Sequence, residues 1–102
     1  MSISKRYTKN GTECKVTFKI TKKESNNAQT ANLAGDFNGW DVNATPMNKL
    51  KSGDFTVTLT LPAGKIYEFR YWLDSNIWEN DWTDDGYRSS PYEGTENSFI
   101  DI

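Results

Sequence analysis

The sequence predicts an all-β fold, an antiparallel sandwich of about seven strands in one domain. Three observations carry that expectation. Apolar and polar residues alternate with period two through several short runs. Those runs recur at intervals of about 8–12 residues between turn signals. No segment keeps helical spacing over three turns. The chain of 102 residues is long enough for one core that buries roughly two-thirds of the unfolded surface.

Taken in order, Cys14, Val16, Phe18 and Ile20 alternate with Glu13, Lys15, Thr17 and Lys19, the pattern of a half-buried strand. Lys22 to Gln29 is polar and Asn-rich and reads as a loop. Ala31 and Leu33 begin a short strand ending at Gly35, and Asp36-Phe-Asn-Gly-Trp-Asp41 is turn chemistry around two large rings. Phe55, Val57, Leu59 and Leu61 alternate with three threonines between the turn signals Ser52-Gly53-Asp54 and Pro62-Ala63-Gly64, which makes the clearest strand. From Ile66 to Leu73, Tyr67, Phe69, Tyr71 and Leu73 share one face, and Ile66, Glu68, Arg70 and Trp72 the other. A further strand is expected around Ile77-Trp78, an extended acidic loop over 80–93, and a last strand from Asn97 with Ile100 and Ile102 inward. This spacing points to an immunoglobulin-like arrangement. Residues 1–12 read as an N-terminal extension and 13–102 as the sandwich.

Composition narrows the function. The chain has no histidine, which excludes a Ser-His-Asp triad, a Cys-His pair and histidine metal sites. A net charge of −2 offers no basic excess for phosphate backbones, so no nucleic-acid partner is expected. No apolar run approaches the length of a membrane span, and the first residues lack the apolar stretch of a signal peptide. A single cysteine, Cys14, excludes an internal disulfide framework and fits a reducing, cytoplasmic setting. The stretch Asp81 to Gly86 touches the calcium-loop pattern, but Tyr92 stands at its twelfth position and flanking helices are lacking. No metal and no cofactor is expected. A glycoside hydrolase would need two enclosed carboxylates, which a small sandwich does not provide, so the chain is expected to be no enzyme.

The aromatic residues, 14% of the chain, are the informative feature. Phe18, Phe55, Tyr67, Phe69 and Tyr71 fill the core by alternation alone, which leaves Trp40, Trp72, Trp78 and Trp82 in loops or on an outward face. Clustered exposed rings mark binding surfaces; the plain alternative is that each tryptophan caps an open end of the sandwich. Indoles beside Asn, Asp and Arg suit a sugar, whose C–H face stacks on the ring while its hydroxyls take the polar groups. About 100 Å² of apolar area covered on one ring contributes roughly 2.5 kcal/mol. After association costs, two rings predict weak binding, in the micromolar to millimolar range.

The runs Leu33-Ala-Gly-Asp-Phe-Asn-Gly-Trp-Asp41, Phe55-Thr-Val-Thr-Leu-Thr-Leu-Pro62 and Tyr67-Glu-Phe-Arg-Tyr-Trp-Leu-Asp74, with Met47, Trp78 and Pro91-Tyr-Glu-Gly-Thr-Glu-Asn-Ser98, resemble the family 48 carbohydrate-binding modules. These include the N-terminal early-set domains of isoamylases and glycogen branching enzymes and the glycogen-binding domain of the AMP-activated protein kinase beta subunit. The resemblance covers about residues 13–102. The stretch from Ser4 to Phe18 also looks like small free-standing bacterial members. The resemblance implies an early-set, immunoglobulin-like sandwich that binds α-1,4-glucan without catalysis. It places Trp40 and Trp78 on glucose rings and Arg70 and Asn97 on hydroxyls, with Thr95 and Trp72 at the rim. It also implies, as the alternative role, docking to a glucan-metabolising enzyme. Three departures stand out. Arg70 replaces a lysine, which keeps the charge and changes the hydrogen-bond fork. The turn before Trp78 is one residue longer. Glu93 replaces a leucine that in the family touches the sugar.

Overall fold

A computed structural model describes residues 1–81, 87–89 and 96–102. Among these residues the chain forms nine strands and one 3-10 turn: β1 (Ser2–Tyr7), β2 (Glu13–Ile20), β3 (Ala31–Gly35), the turn Asp36–Asn38, β4 (Asn48–Lys49), β5 (Phe55–Pro62), β6 (Ile66–Leu73), β7 (Ile77–Glu79), β8 (Tyr87–Ser89) and β9 (Glu96–Asp101). One sheet has the order β1-β2-β5-β4 and the other β3-β6-β9-β8, with β7 also paired to β6. All pairings are antiparallel. The immunoglobulin-like sandwich is therefore all-β, as the alternation predicts.

Register explains the core. Between β2 and β5, Cys14 faces Leu61, Val16 faces Leu59, Phe18 faces Val57 and Ile20 faces Phe55, so each inward pair is apolar on both sides. In the second sheet Leu33 faces Tyr71, Ala31 faces Leu73 and Tyr67 faces Ile100. The two layers meet through rings: Phe18 of β2 lies edge-on to Phe69 of β6 at 5.2 Å and 71°, and Phe69 is edge-on to Tyr71 at 5.7 Å. Phe18, Phe69 and Tyr71 are all fully buried.

Two expectations change. Within 80–93, read as loop, Tyr87–Ser89 pairs with β9 as the edge strand β8. Three residues are too few to show a period against an acidic, turn-rich background. Residues 1–12 contain β1, which pairs with β2 along its whole length, from Ser2 opposite Lys19 to Tyr7 opposite Cys14. Met1 and Ile3 pack against the core, so this segment adds an edge strand to the first sheet. Among the described residues, no helix is long and apolar enough to cross a membrane.

Candidate functional site

β6 is the spine of the site because its two faces carry different chemistry. Its inward residues fill the core, while Glu68, Arg70 and Trp72 project from the opposite face. The neighbouring strands extend that outer face. Asn32 and Ala34 of β3 lie opposite Trp72 and Arg70. Trp78 of β7 lies opposite Trp72. Phe99 of β9 lies opposite Glu68, and Asn97, two residues earlier, shares its face. Arg70, Trp72, Trp78 and Asn97, singled out in the sequence, are thus gathered on one face of one sheet.

The two indoles form a pair. Trp72 and Trp78 have ring centroids 4.5 Å apart with planes tilted by 52°, and Trp78 is 42% exposed. Beside them Arg70 is half-buried, and its Nε is buried with no hydrogen-bond partner among the described residues. A buried donor left unpaired carries a desolvation cost that an incoming acceptor would relieve. Asn97 is only 6% exposed, and its Nδ2 donates to Glu68 Oε1 at 3.2 Å. Its contribution is thus more deeply set than an outward position suggests.

The turn that carries Trp40 is specified residue by residue. Gly35 faces Phe69, and a Cβ there would come within 2.5 Å of the Glu68 carbonyl oxygen and 2.8 Å of Phe69 Cβ, so only glycine fits. Phe37 packs on the core, 6.1 Å from Phe18 and 6.3 Å from Tyr67. Asn38 closes the loop: its Oδ1 accepts the Gly35 N–H at 3.1 Å, and its Nδ2 donates to the Leu33 carbonyl at 2.8 Å and to Thr45 Oγ1 at 3.0 Å. Gly39 and Trp40 then both take left-handed backbone, with φ of 67° and 60°. That conformation is routine for glycine and costly for a bulky side chain. Trp40 is held there by its N–H to the Gly35 carbonyl, 2.9 Å, and by its indole Nε1–H to Asp36 Oδ1, 3.0 Å. Asp36 Oδ2 in turn accepts the Glu68 backbone N–H at 2.8 Å. Trp40 is half-buried and is anchored to β6 through this carboxylate.

The turn before Trp78 leaves its ring on the outer face beside Trp72. Leu73 still pairs with Ile77 and Trp72 with Trp78, and residues 74–76 close the hairpin. Asp74 and Ser75 are left-handed, with φ of 50° and 59°. Asp74 Oδ1 accepts the N–H groups of Gln29 and Thr30 at 2.7 and 3.1 Å, which moors the hairpin to the loop before β3. The far end of β7 is tied to β9. Ser98 donates through N–H and Oγ to Asn80 Oδ1, and the Asp81 N–H donates to Ser98 Oγ. Asp81, part of the stretch weighed for calcium, is 4% exposed and accepts the Tyr71 hydroxyl at 2.8 Å. Thr95, Trp82 and Glu93 lie outside the described residues. The sequence reading did not single out Asp36, Glu68 and Asp74; the nearest signal for Asp36 was a carboxylate inside a glycine-bounded aromatic turn.

With this geometry in view, comparison with known proteins gives two findings. A family model described as carbohydrate-binding module 48 (isoamylase N-terminal domain) matches residues 8–92. An amylopullulanase from Thermoanaerobacter thermohydrosulfuricus is 37% identical over 59 residues, covering 56% of this chain and 4% of that protein. The chain therefore spans a small part of that relative's length.

Proposed function

Because the chain belongs to the carbohydrate-binding module 48 family, whose members bind carbohydrate without catalysing a reaction, we propose that its ligand is α-1,4-linked glucan. Glycogen, starch and maltooligosaccharides belong to that class. In this reading Trp78, backed by Trp72, stacks on the C–H face of one glucose unit, and Trp40 receives another. Arg70 and Asn97 engage hydroxyls, with Thr95 at the rim. The observation that carries the reading is the Trp72–Trp78 pair, Trp78 exposed and Trp72 half-buried, standing beside an arginine whose Nε lacks a partner among the described residues. An α-1,4 chain curves and can wrap rings that project from a sheet, whereas a flat β-1,4 chain needs a planar platform. Each ring covered by about 100 Å² of sugar contributes roughly 2.5 kcal/mol before association costs.

Titration with maltoheptaose, followed by tryptophan fluorescence and NMR shifts, tests it. The wild type is expected to saturate at micromolar to millimolar sugar. Trp78→Ala is expected to weaken binding at least about tenfold. Unchanged spectra at millimolar sugar end the proposal.

A second reading is favoured by the relative, a far longer protein whose name is that of an enzyme. In it the module docks on a glucan-metabolising enzyme, and the rings meet protein. Co-purification with such an enzyme that excess maltoheptaose leaves intact and that Trp78→Ala weakens would support it. A cytoplasmic setting is consistent with Cys14, which is buried and unbridged.

A further inference from the structure

We propose that Asp36 is a positioning residue of the glycan site, the clamp that fixes the Trp40 ring against β6; this rests on the glucan reading above. Two donors from different parts of the chain converge on its carboxylate. The Trp40 indole N–H reaches Oδ1 at 3.0 Å and the Glu68 backbone N–H reaches Oδ2 at 2.8 Å. Glu68 lies two residues from Arg70 on the outer face and itself holds the Asn97 amide. The clamp therefore links the loop ring to the strand that carries the rest of the site.

The backbone supplies an independent reason for a clamp. Trp40 sits at φ 60°, a region that a large side chain enters only when its surroundings over-determine it. The turn spends hydrogen bonds on holding that conformation: the Trp40 N–H is fixed to the Gly35 carbonyl and the indole N–H to Asp36. With its indole N–H committed to Asp36, Trp40 offers a ligand its ring and no donor. A ring fixed before binding loses little rotamer freedom when sugar arrives. Asparagine cannot replace the aspartate, because the two donors reach different oxygens and an amide would set its NH2 group against one of them.

The test compares Asp36→Asn with wild type in the full chain, each with and without Trp40→Phe. The Trp40 indole N–H peak is identified as the one absent from Trp40→Phe. In Asp36→Asn without sugar, that peak is expected to shift and its solvent exchange to quicken, while the other indole peaks stay in place. Affinity for maltoheptaose is expected to fall about tenfold, the scale of a lost charge-assisted hydrogen bond. In the Trp40→Phe background Asp36→Asn is expected to cost less than about twofold, because the donor it served is gone. An unmoved indole peak overturns the proposal. An equal affinity loss in both backgrounds overturns it too, since Asp36 would then act through general folding. Should the wild type bind no maltoheptaose, the glucan reading fails with it, and the indole peak alone decides whether Asp36 fixes the ring.

Discussion

Trp40 and Ser75 hold the same left-handed backbone, φ 60° and 59°, for different reasons. Trp40 keeps its conformation through its own N–H and through the indole bond to Asp36. The Ser75 side chain projects from a hairpin turn, so its strain serves no contact seen among the described residues. Left-handed backbone costs a non-glycine residue roughly 1 kcal/mol. Ser75→Gly is accordingly expected to raise the unfolding free energy by about 0.5–1 kcal/mol. Urea denaturation reads this, and maltoheptaose affinity should stay within about twofold of wild type. A lower denaturation midpoint would contradict it. The ring residues were legible in the sequence because period-two alternation assigns each side chain a face: it placed Arg70 and Trp72 outward and left Trp40 and Trp78 outside the core. The supporting residues were not legible in this way. Asp36 meets Glu68, and Glu68 meets Asn97, across 32 and 29 positions of chain, and no local pattern encodes such pairs. The depth of Asn97 was hidden for the same reason, since the burial of a residue near a strand end depends on what packs over it.

At the scale of elements, β6 and the hairpin it forms with β7 govern where Trp78 stands. The hairpin's mooring is the Asp74 carboxylate, which collects two backbone N–H groups from the loop before β3. Asp74→Ala leaves the Gln29 and Thr30 amides to solvent. It is expected to cost about 1–2 kcal/mol of stability and to quicken hydrogen exchange at both amides. Maltoheptaose should bind more weakly, because β7 carries the exposed ring. Unchanged exchange at Gln29 and Thr30 would show that the mooring lies elsewhere. Legibility follows element length. β2, β5 and β6 have eight residues each, enough alternation to be read, and their inward residues are those expected. β4 and β8, of two and three residues, exist through their pairing partners and leave no periodic trace. β1 belongs to a third kind. Its pairing with β2 is announced by Asn10-Gly11, with Gly11 at φ 73°, a hairpin signal that lies outside the alternating runs.

For the whole molecule, the two sheets must stay stacked for the outer face of one to remain a platform. Part of that stacking runs through Tyr67, which belongs to β6 yet donates its hydroxyl to the Pro62 carbonyl at the end of β5 in the opposite sheet, at 2.8 Å. Tyr67 is 8% exposed, and burial pushes its hydroxyl above the usual tyrosine range. The neutral form is favoured by the fold, so the folded state holds this proton at a pH where the unfolded chain releases it. Stability from this residue is thus fully present below about pH 10, the unfolded value, and is lost as pH rises beyond it toward the folded value. Urea denaturation across this range should give a contribution from Tyr67 that is constant from pH 7 to 9 and declines above about pH 10. Tyr67→Phe removes both the hydroxyl's bond and its titration. At pH 7 it should start about 1 kcal/mol less stable and then fall less steeply than wild type in the alkaline range, so that the two curves converge. Parallel curves would mean that the Tyr67 hydroxyl titrates alike in both states, and that the stacking of the sheets owes nothing to its protonation.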